Sequence, residues 1–466
     1  MEKTRREFVK LAGGAVLGAS AILSGRGKAF AQTKLAKGVP SEPVKIGILP
    51  ILTGVAGVTG VPASRACGIW RDEINKSGGI LGRQVEFYQE EETTPKDTVE
   101  KFRKLTLQNK VDVISGGTST GVGLALGPVA EELGQLWLSW DATTQKGVEE
   151  TMPKNKYSFR SIDNEADAIS GALMTAKYYP EVKTVAGIND DYSYGRDCWD
   201  AFKAVYSLFN PKVKFVLDLW PKVGETEYGP HVAAIKKANP DFLYSSFWSG
   251  HCAIFVKQAF AAGLFKKTKA CFSPGGAVYF NLKKEFTPEG LILGFNPFYF
   301  KWTDTWPLLK WFNNTYYAKY KEYPPYLVDH AFFTLQAYKV AVEKCYAVTG
   351  AWPTKEQIAA ALKGIEVPSI SNYRGYTEDN RQRCDFILGL STHKNPYDFV
   401  TIKPVEIYTS SMIQKPSTEM KLYDWIKSWL LSSCLVFFPN QNGAVTNQST
   451  IPANMRLAWA FQLKAP

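Results

Sequence analysis

The residues most suited to chemistry by their type and spacing lie in the stretch GGTSTG, which runs from Gly116 to Gly121. Its last five letters fit the G-x-S-x-G pattern of a hydrolase nucleophile elbow, a sharp strand-to-helix turn that exposes a serine hydroxyl. The apolar run VDVIS precedes the stretch, and the helix-like VGLALGPVAEELG follows it. Ser119 is therefore a candidate nucleophile.

A nucleophilic serine needs a base, and the chain contains only four histidines, at His231, His251, His330 and His393. No His-Gly oxyanion loop precedes the turn, and the turn follows the third predicted strand, which is early for a hydrolase elbow. The alternative interpretation is binding. A Gly-rich turn that opens a helix presents unpaired backbone N–H groups and the positive end of the helix dipole, which can hold a carboxylate.

The first residues have the pattern of an export signal. A basic start is followed by an uncharged run from Leu11 to Leu23 and by the small-x-small site Ala29 to Ala31. The pair of arginines in TRREFVK resembles the twin-arginine signal, with an ordinary secretory signal or an uncleaved anchor as the alternative. We therefore expect a twin-arginine signal peptide at 1–31, a linker at 32–43 and a periplasmic protein.

Charge and composition argue against several classes of function. The formal net charge is +11, and it falls to about +7 without residues 1–31, with the basic residues scattered rather than clustered. Nucleic-acid binding would need a basic stripe or a known module, and neither is present. HExxH, paired C-x-x-C and Walker patterns are missing, so we expect no metal and no cofactor.

The seven cysteines lie far apart, and their odd number leaves at least one unpaired within the monomer. A bond such as Cys345 with Cys384 stays open, and folding in the cytoplasm before export would favour free buried thiols.

The elements that must position the turn alternate between strands and helices. VKIGILPIL, QVEFYQEEE and VDVISGG read as strands, and the segments between them have helical spacing. A second α/β series follows and ends near residue 265, which predicts two lobes with a ligand cleft at the carboxyl ends of the strands. From Pro297 the aromatic spacing predicts an amphipathic helix pair packed on a lobe, with aromatic cleft walls as the alternative. Beyond Leu430 the periodic pattern fades.

Several segments resemble one known family. VKIGILPILTG, INKSGGILGR, NKVDVISGGTSTG and DDYSYGRD are similar to the leucine/isoleucine/valine-binding family of periplasmic substrate-binding proteins, which serve ABC importers. The resemblance implies an α/β, type I periplasmic-binding fold, in which two doubly wound lobes joined by a three-segment hinge close over a ligand. It implies a first lobe at 44–163 plus 295–377, a second lobe at 164–294 plus 378–430, and an extension of unknown role at 431–466.

The resemblance also implies where the ligand binds. The family's carboxylate-binding Ser-Ser turn falls on Ser119 and Thr120, and its next-loop Ser-Ala-Thr motif falls on a stretch whose first residue here is Asp. Two aromatic positions supply cleft walls. The implied ligand-binding residues are Ser119, Thr120, Asp141, Ala142, Thr143, Tyr194 and Trp248.

The departures from the family concern the ligand. Where amino-acid binders carry an acidic partner for the ammonium group, this chain has Gly275 and Gly276. A buried unpaired ammonium is costly, so either Asp141 replaces that acid or the ligand has no ammonium. Asp141 could instead be a helix N-cap in DATTQ. Trp137, Trp140 and Trp248 near the predicted cleft, with Tyr194, favour a flat or aromatic ligand such as a benzoate-like acid, although a strand position such as that of Trp137 is more often core.

The sequence therefore predicts a non-enzymatic, extracytoplasmic substrate-binding protein of an ABC importer. Its expected partners are an inner-membrane ABC permease and a small ligand, which is a branched-chain or other amino acid, an amide or an aromatic carboxylate. An exported serine hydrolase that uses Ser119 and a ligand-binding sensor module that docks onto a receptor are the alternatives.

Overall fold

The computed structural model describes residues 35–152, 155–160 and 164–433. The predicted signal peptide at 1–31 and nearly all of the predicted extension at 431–466 lie outside these residues. None of the helices in the described ranges combines the length and apolar character that a membrane crossing requires.

The amino-terminal part of the chain alternates between strands and helices, as predicted. In chain order these elements are β1 (Val44–Leu49), α1 (Gly57–Lys76), β2 (Val85–Gln89), α2 (Pro95–Leu107), β3 (Val113–Gly116), α3 (Thr120–Leu133), β4 (Trp137–Leu138), α4 (Gln145–Thr151) and β5 (Ser158–Phe159). The five strands form one parallel sheet in the order β2-β1-β3-β4-β5.

The first strand explains why this sheet is covered on both faces. Val44, Ile46 and Ile48 of β1 pack into the core that contains α1. Leu49 of β1 packs into the core that contains α2 and α3, together with Ile114 of β3. Successive side chains of a strand point to opposite faces, so an almost entirely apolar strand requires helices on both sides. The predicted doubly wound arrangement is confirmed for this sheet.

A second alternating series follows the first. It consists of α5 (Glu165–Tyr178), β6 (Thr184–Ile188), α6 (Ser193–Phe209), β7 (Lys214–Leu219), α7 (Gly229–Ala238), β8 (Phe242–Ser245), α8 (Ser249–Ala261), β9 (Lys269–Phe272) and β10 (Ile292–Gly294). Its five strands are parallel and lie in the order β7-β6-β8-β9-β10. This order repeats that of the first sheet, so the fold contains two units of one topology.

The remaining elements join both units. They are α9 (Pro307–Tyr320), α10 (Leu327–Thr349), α11 (Lys355–Leu362), β11 (Glu366–Pro368), β12 (Tyr373–Tyr376), β13 (Gln382–Arg383), β14 (Phe386–Thr392), β15 (Thr401–Tyr408), α12 (Ser410–Ile413) and α13 (Leu422–Ser433). Strands β14 and β15 extend the second sheet in antiparallel pairing, an addition that the sequence did not predict. Strands β11, β12 and β13 form a small antiparallel sheet.

The aromatic segment forms the helix pair that its spacing predicted. Helix α10 packs along α1, and Phe312, Tyr316 and Phe332 of this pair are buried in the shared core. Trp137 and Trp140 are also fully buried, with their indole N–H groups donated to the carbonyl of Gly116 and the hydroxyl of Ser115. These two tryptophans are core residues, so the part that they were expected to play in favouring a flat ligand is wrong.

The chain passes between the two main sheets at three places. It leaves the first sheet after β5, returns to pack on α1 after β10, and enters the second sheet again at β14. The lobe boundaries proposed at 163, 294 and 377 stay predictions. All six cysteines in the described ranges are free, and five of them are buried, which agrees with the expectation of free buried thiols; the bond between Cys345 and Cys384 that the sequence left open is not formed.

Candidate functional site

One cavity lies where the carboxyl ends of both parallel sheets face each other. The first unit and its helix pair contribute Thr118, Thr120, Asp141 and Tyr326. The second unit contributes Asn164, Asp167, Tyr192, Tyr194 and Trp248. The space free of atoms is about 270 Å³, part of which is open to solvent. This is the edge of an open α/β sheet at which ligands bind, here supplied twice.

The positions of the contributing residues follow from the strand order. Thr118 and Thr120 follow β3, and Tyr194 and Trp248 follow β6 and β8. In the first sheet the chain continues from β1 towards one edge and from β3 towards the other, and β6 and β8 do the same in the second sheet. A crevice is left between the two strands of each pair. The repeated topology therefore places two such crevices against one cavity.

Four of the seven sequence-predicted site residues line this cavity. They are Thr120, Asp141, Tyr194 and Trp248. Ala142 and Thr143 are fully buried behind the wall, where a Cβ on Gly123 would lie 2.5 Å from Ala142 Cβ and 2.4 Å from Thr143 Cγ2. These two residues pack against α3 rather than into the cavity.

The turn before α3 is shaped by its glycines. Gly116 and Gly117 have φ values of 135° and 96°, and a Cβ on Gly116 would approach the backbone of Leu49 to 2.6 Å. The indole of Trp137 packs beside Gly117, where an added Cβ would lie 3.1 Å from its ring. Glycine adopts such backbone conformations without strain, and because it has no Cβ the turn can lie close to β1 and β4.

Ser119 is the N-cap of α3, and its hydroxyl accepts a hydrogen bond of 3.4 Å from Val122 N–H. The backbone N–H groups of Thr118 and Ser119 donate to the two carboxylate oxygens of Glu92, at 2.6 and 2.9 Å. The prediction that these N–H groups are unpaired is therefore wrong. Within the described part of the chain, no hydrogen bond joins Ser119 to a histidine, so the hydrolase interpretation gains no support.

Glu92 follows β2 and is 2% exposed. Burial raises its pKa to about 7, the hydrogen bonds from Ser119 and Thr118 act in the opposite direction, and the charge of Asp141 raises it further. An internal carboxyl group thus occupies the helix terminus that the sequence offered to a ligand. Sequence reasoning missed Glu92 because its partners lie 26 and 27 residues away.

Asp141 lies on the cavity wall and contacts both units. It accepts hydrogen bonds from the Tyr326 hydroxyl at 3.0 Å and from the Asn164 amide at 3.3 Å. Burial raises its pKa to about 7, against the effect of these two donors. The N-cap of the following helix is Thr144, which accepts from Gly147 N–H at 3.2 Å, so the N-cap interpretation of Asp141 is wrong.

The second unit provides an aromatic wall. The rings of Tyr192 and Tyr194 lie 5.8 Å apart at the start of α6, and Trp248 is the residue before α8. The edge of the Trp248 ring meets His251, whose Nδ1 is 2.8 Å from Asp190. Because Gly224 N–H donates to the other ring nitrogen of this histidine, Nδ1 carries the proton and donates to Asp190.

Five lining residues were missed by sequence reasoning. Thr118 precedes Ser119 directly and Tyr192 lies two positions before Tyr194, so a wider window around each motif would have included both. Asn164 and Asp167 lie at the first passage between the sheets, and Tyr326 lies in the aromatic segment between α9 and α10. Of the aromatic residues in that segment, only Tyr326 is among the lining residues. The alternative of aromatic cleft walls therefore holds for Tyr326 and not for the rest of the segment.

The glycines that replace the family's acidic residue do not line the cavity. Gly275 and Gly276 are buried in a short 3-10 segment after β9. A Cβ on Gly276 would lie 2.4 Å from the carbonyl oxygen of Gly294 and 2.5 Å from the ring of Phe295. No side chain fits at Gly276, so this loop supplies no acid to a ligand from that position.

The two units also touch beside the cavity. The Thr59 hydroxyl of α1 is 3.0 Å from the Ser249 hydroxyl at the start of α8, and both are buried. Gly250 N–H donates to the carbonyl of Val55 at 3.3 Å, and a Cβ on Gly250 would lie 2.6 Å from that oxygen. These contacts describe a closed arrangement of the units.

Comparison with known proteins points in one direction. A family model described as periplasmic binding protein matches residues 43–386. The Leu-, Ile-, Val-, Thr- and Ala-binding protein of Pseudomonas aeruginosa is 24% identical over 227 residues, which are 48% of this chain and 59% of that protein. The matched region therefore spans less than two thirds of that relative. A Leu/Ile/Val-binding protein homologue of Brucella abortus is 24% identical over 381 residues, covering 76% of this chain and 85% of its own.

Solved structures show the same fold. A solute-binding protein of an ABC transporter from Rhodopseudomonas palustris, in complex with 3,4-dihydroxybenzoic acid, superposes with a TM-score of 0.70 at 19% identity, covering 80% of this chain and 99% of that one. A leucine-binding protein from Thermotoga maritima gives a TM-score of 0.65 at 19% identity, covering 78% and 98%. The predicted type I periplasmic-binding fold is thereby confirmed.

Proposed function

Because the chain belongs to the periplasmic binding protein family, in agreement with its resemblance to the leucine/isoleucine/valine-binding proteins, we propose that it is an extracytoplasmic substrate-binding protein of an ABC importer. It encloses a small ligand between its two units and presents that ligand to a membrane permease. No bond of the ligand is made or broken. Affinity arises from the difference in contacts between the open and closed forms.

The observation that carries this proposal is the cavity shared by both units. Residues from each sheet line it, and the hydrogen bonds from Tyr326 and Asn164 to Asp141 bring side chains of both units to one carboxylate. A ligand held here would add contacts only when the units are together. The Thr59–Ser249 contact would be broken when they separate.

The names of the relatives support a small organic ligand. Relatives are described as binding branched-chain and other small amino acids, and solved neighbours are in complex with benzoate and hydroxybenzoates. The ligand is therefore a small carboxylate, an amino acid or an amide. The residues that contact it are Thr120, Asp141, Tyr194 and Trp248, and the residues that shape the wall behind them are Ser119, Ala142 and Thr143.

Export and partner follow from the same assignment. Family members act outside the cytoplasm, which agrees with a signal peptide at 1–31 that uses the twin-arginine route. The partner is an ABC permease in the inner membrane.

Binding is tested by thermal shift and calorimetry with a panel of amino acids, amides, amines, amidines and aromatic acids. Thr120→Val removes one hydroxyl from the cavity while keeping the shape of the side chain, and it should weaken binding of the best ligand by about fivefold. Thr106→Val is the matched control, because the Thr106 hydroxyl bonds only to the Phe102 carbonyl on α2. Equal effects of both variants would contradict the assignment of the cavity.

The importer role needs a transport readout. The ligand-loaded protein should stimulate ATP hydrolysis by its permease in proteoliposomes, and the ligand-free protein should not. Tight ligand binding with no stimulation by any permease from the same cell would favour a sensor that docks onto a receptor. A complete lack of binding across the panel would overturn the proposal.

A further inference from the structure

The charge of the cavity is unusual for a carboxylate site. Its described lining contains two aspartates, Asp141 and Asp167, and no lysine, arginine or histidine. The charge of Arg374 lowers the pKa of Asp141, but its guanidinium is fully buried and bonded to Asp329 and Gln382. The side chains that can carry a charge towards a ligand here are therefore acidic.

The donors that a carboxylate would need are also occupied. The turn before α3 directs two N–H groups, of Thr118 and Ser119, to the carboxylate of Glu92. A ligand carboxylate at this turn would have to displace a buried internal one and would lie beside Asp141. Like charges in a buried site oppose each other, so the arrangement disfavours an anion.

The acceptors in the cavity suit a ligand that donates hydrogen bonds. Asp141 lines the cavity, and each of its oxygens accepts one hydrogen bond, which leaves each with capacity to accept another. Thr118 lines the same space and is 7% exposed, and its buried hydroxyl has no hydrogen-bond partner among the described residues. A buried polar atom without a partner needs one, and a ligand can supply it.

The remaining wall is aromatic. Tyr192, Tyr194 and Trp248 line the side that belongs to the second unit. Aromatic faces attract ammonium and amidinium groups, and they stack on flat apolar groups. The combination of carboxylates on one side and aromatic rings on the other matches a small organic cation.

We propose that the cavity binds a small organic cation without a carboxylate group, whose ammonium or amidinium donates to Asp141, with Asp167 and the Thr118 hydroxyl beside it. This inference rests on the proposed function of ligand capture, and it replaces the carboxylate and amino-acid classes suggested by the names of the relatives with a cationic one. It assigns to Glu92 the role of a positioning residue, which fills the helix terminus so that a ligand anion is excluded.

The test compares compounds that share a skeleton and differ in charge. The branched-chain set is 3-methylbutylamine, leucinamide, leucine and 4-methylpentanoate, and the aromatic set is benzylamine, benzamidine and benzoate. Calorimetry on the purified mature protein should show an amine or amidine bound about tenfold or more tightly than its carboxylate counterpart. This comparison uses the unaltered protein, so it does not depend on the folding of a variant.

Asp141→Asn provides the second arm, because it removes the charge and keeps the shape. It should weaken binding of the cation by about tenfold or more and leave the carboxylate compounds unimproved or slightly improved. Asp191→Asn is the matched control, since Asp191 is half-exposed and paired with Arg196 outside the cavity lining. It should leave cation binding unchanged.

The outcomes separate this inference from the proposed function. Leucine or a simple carboxylate bound as tightly as the matched amine would overturn the inference and leave an importer protein with an anionic or zwitterionic ligand. Equal losses in Asp141→Asn and Asp191→Asn would also overturn it. No binding by any compound of either charge class would count against the inference and the proposed function together.

Discussion

The internal carboxylate at the turn before α3 allows a sharp prediction. Glu92→Ala removes the only acceptor that the described part of the chain offers to the N–H groups of Thr118 and Ser119. Thr118 is buried, so its N–H group loses its partner, whereas Ser119 is half-buried and water replaces part of the loss. A buried donor left unsatisfied costs about 1–3 kcal/mol, so the two groups together should lower the free energy of unfolding by about 2–4 kcal/mol.

The pH at which this loss is measured matters. Burial raises the pKa of Glu92 from its ordinary value of 4.5 to about 7. Between these two pH values the folded protein keeps the proton on Glu92, whereas the unfolded chain has lost it. The stabilising effect of the raised pKa is complete below pH 4.5 and disappears as the pH rises through 7. Glu92→Ala should therefore cost most near pH 5 and progressively less towards pH 8.

Urea unfolding followed by tryptophan fluorescence measures both effects. Glu90→Ala is the control, since Glu90 forms a partly exposed ion pair with Lys104, and such pairs contribute about 0–1 kcal/mol. Formate should raise the melting temperature of Glu92→Ala and leave the unaltered protein unchanged, because an anion can occupy the uncovered N–H groups. A loss no larger than that of Glu90→Ala, or one that grows with pH, would refute the role given to Glu92.

Three further results are expected. Ser249→Ala removes the buried contact with Thr59 that is made only when the units are together, so ligand affinity should fall about fivefold with no change in ligand preference. Unchanged affinity would show that the contact does not stabilise closure. Burial raises the Asp141 pKa to about 7, so the free energy of unfolding should fall between about pH 4 and 7, by up to about 1.4 kcal/mol per pH unit for this group. Asp141→Asn should reduce that slope in pH-dependent urea melts, and an identical slope would contradict the shift. Arg374→Met leaves Asp329 buried without its cation and should cost about 3–5 kcal/mol in urea unfolding, whereas a cost below about 1 kcal/mol would show that the pair is dispensable.

Much of the fold was predictable because its signals are local. The apolar strands, the helical spacing between them and the glycines before α3 are each visible within a few residues of sequence. Strands β14 and β15 were missed because they pair antiparallel at one edge of a sheet that the chain had left many residues earlier. Short strands of this kind are specified by their neighbours more than by their own composition.

The site was predictable only in part, for a similar reason. Thr120, Asp141, Tyr194 and Trp248 each follow a strand, and the ends of parallel strands meet at one edge, so their convergence follows from topology. Tyr326 enters the cavity from a helix connection that packs on the first unit, which no periodicity reveals.

An internal carboxylate at a helix terminus changes what the cavity requires of a ligand. The turn GGTSTG has the geometry of an anion site, but here Glu92 reaches it from the end of β2 and supplies the anion from within the protein. The N–H groups at the positive end of the helix dipole are then occupied before any ligand arrives. The carboxyl groups that line the cavity are those of Asp141 and Asp167, and their charged form is negative. The sign of the charge on the preferred ligand thus depends on Glu92, a residue behind the wall. A motif that covers only the wall therefore gives no information about that charge.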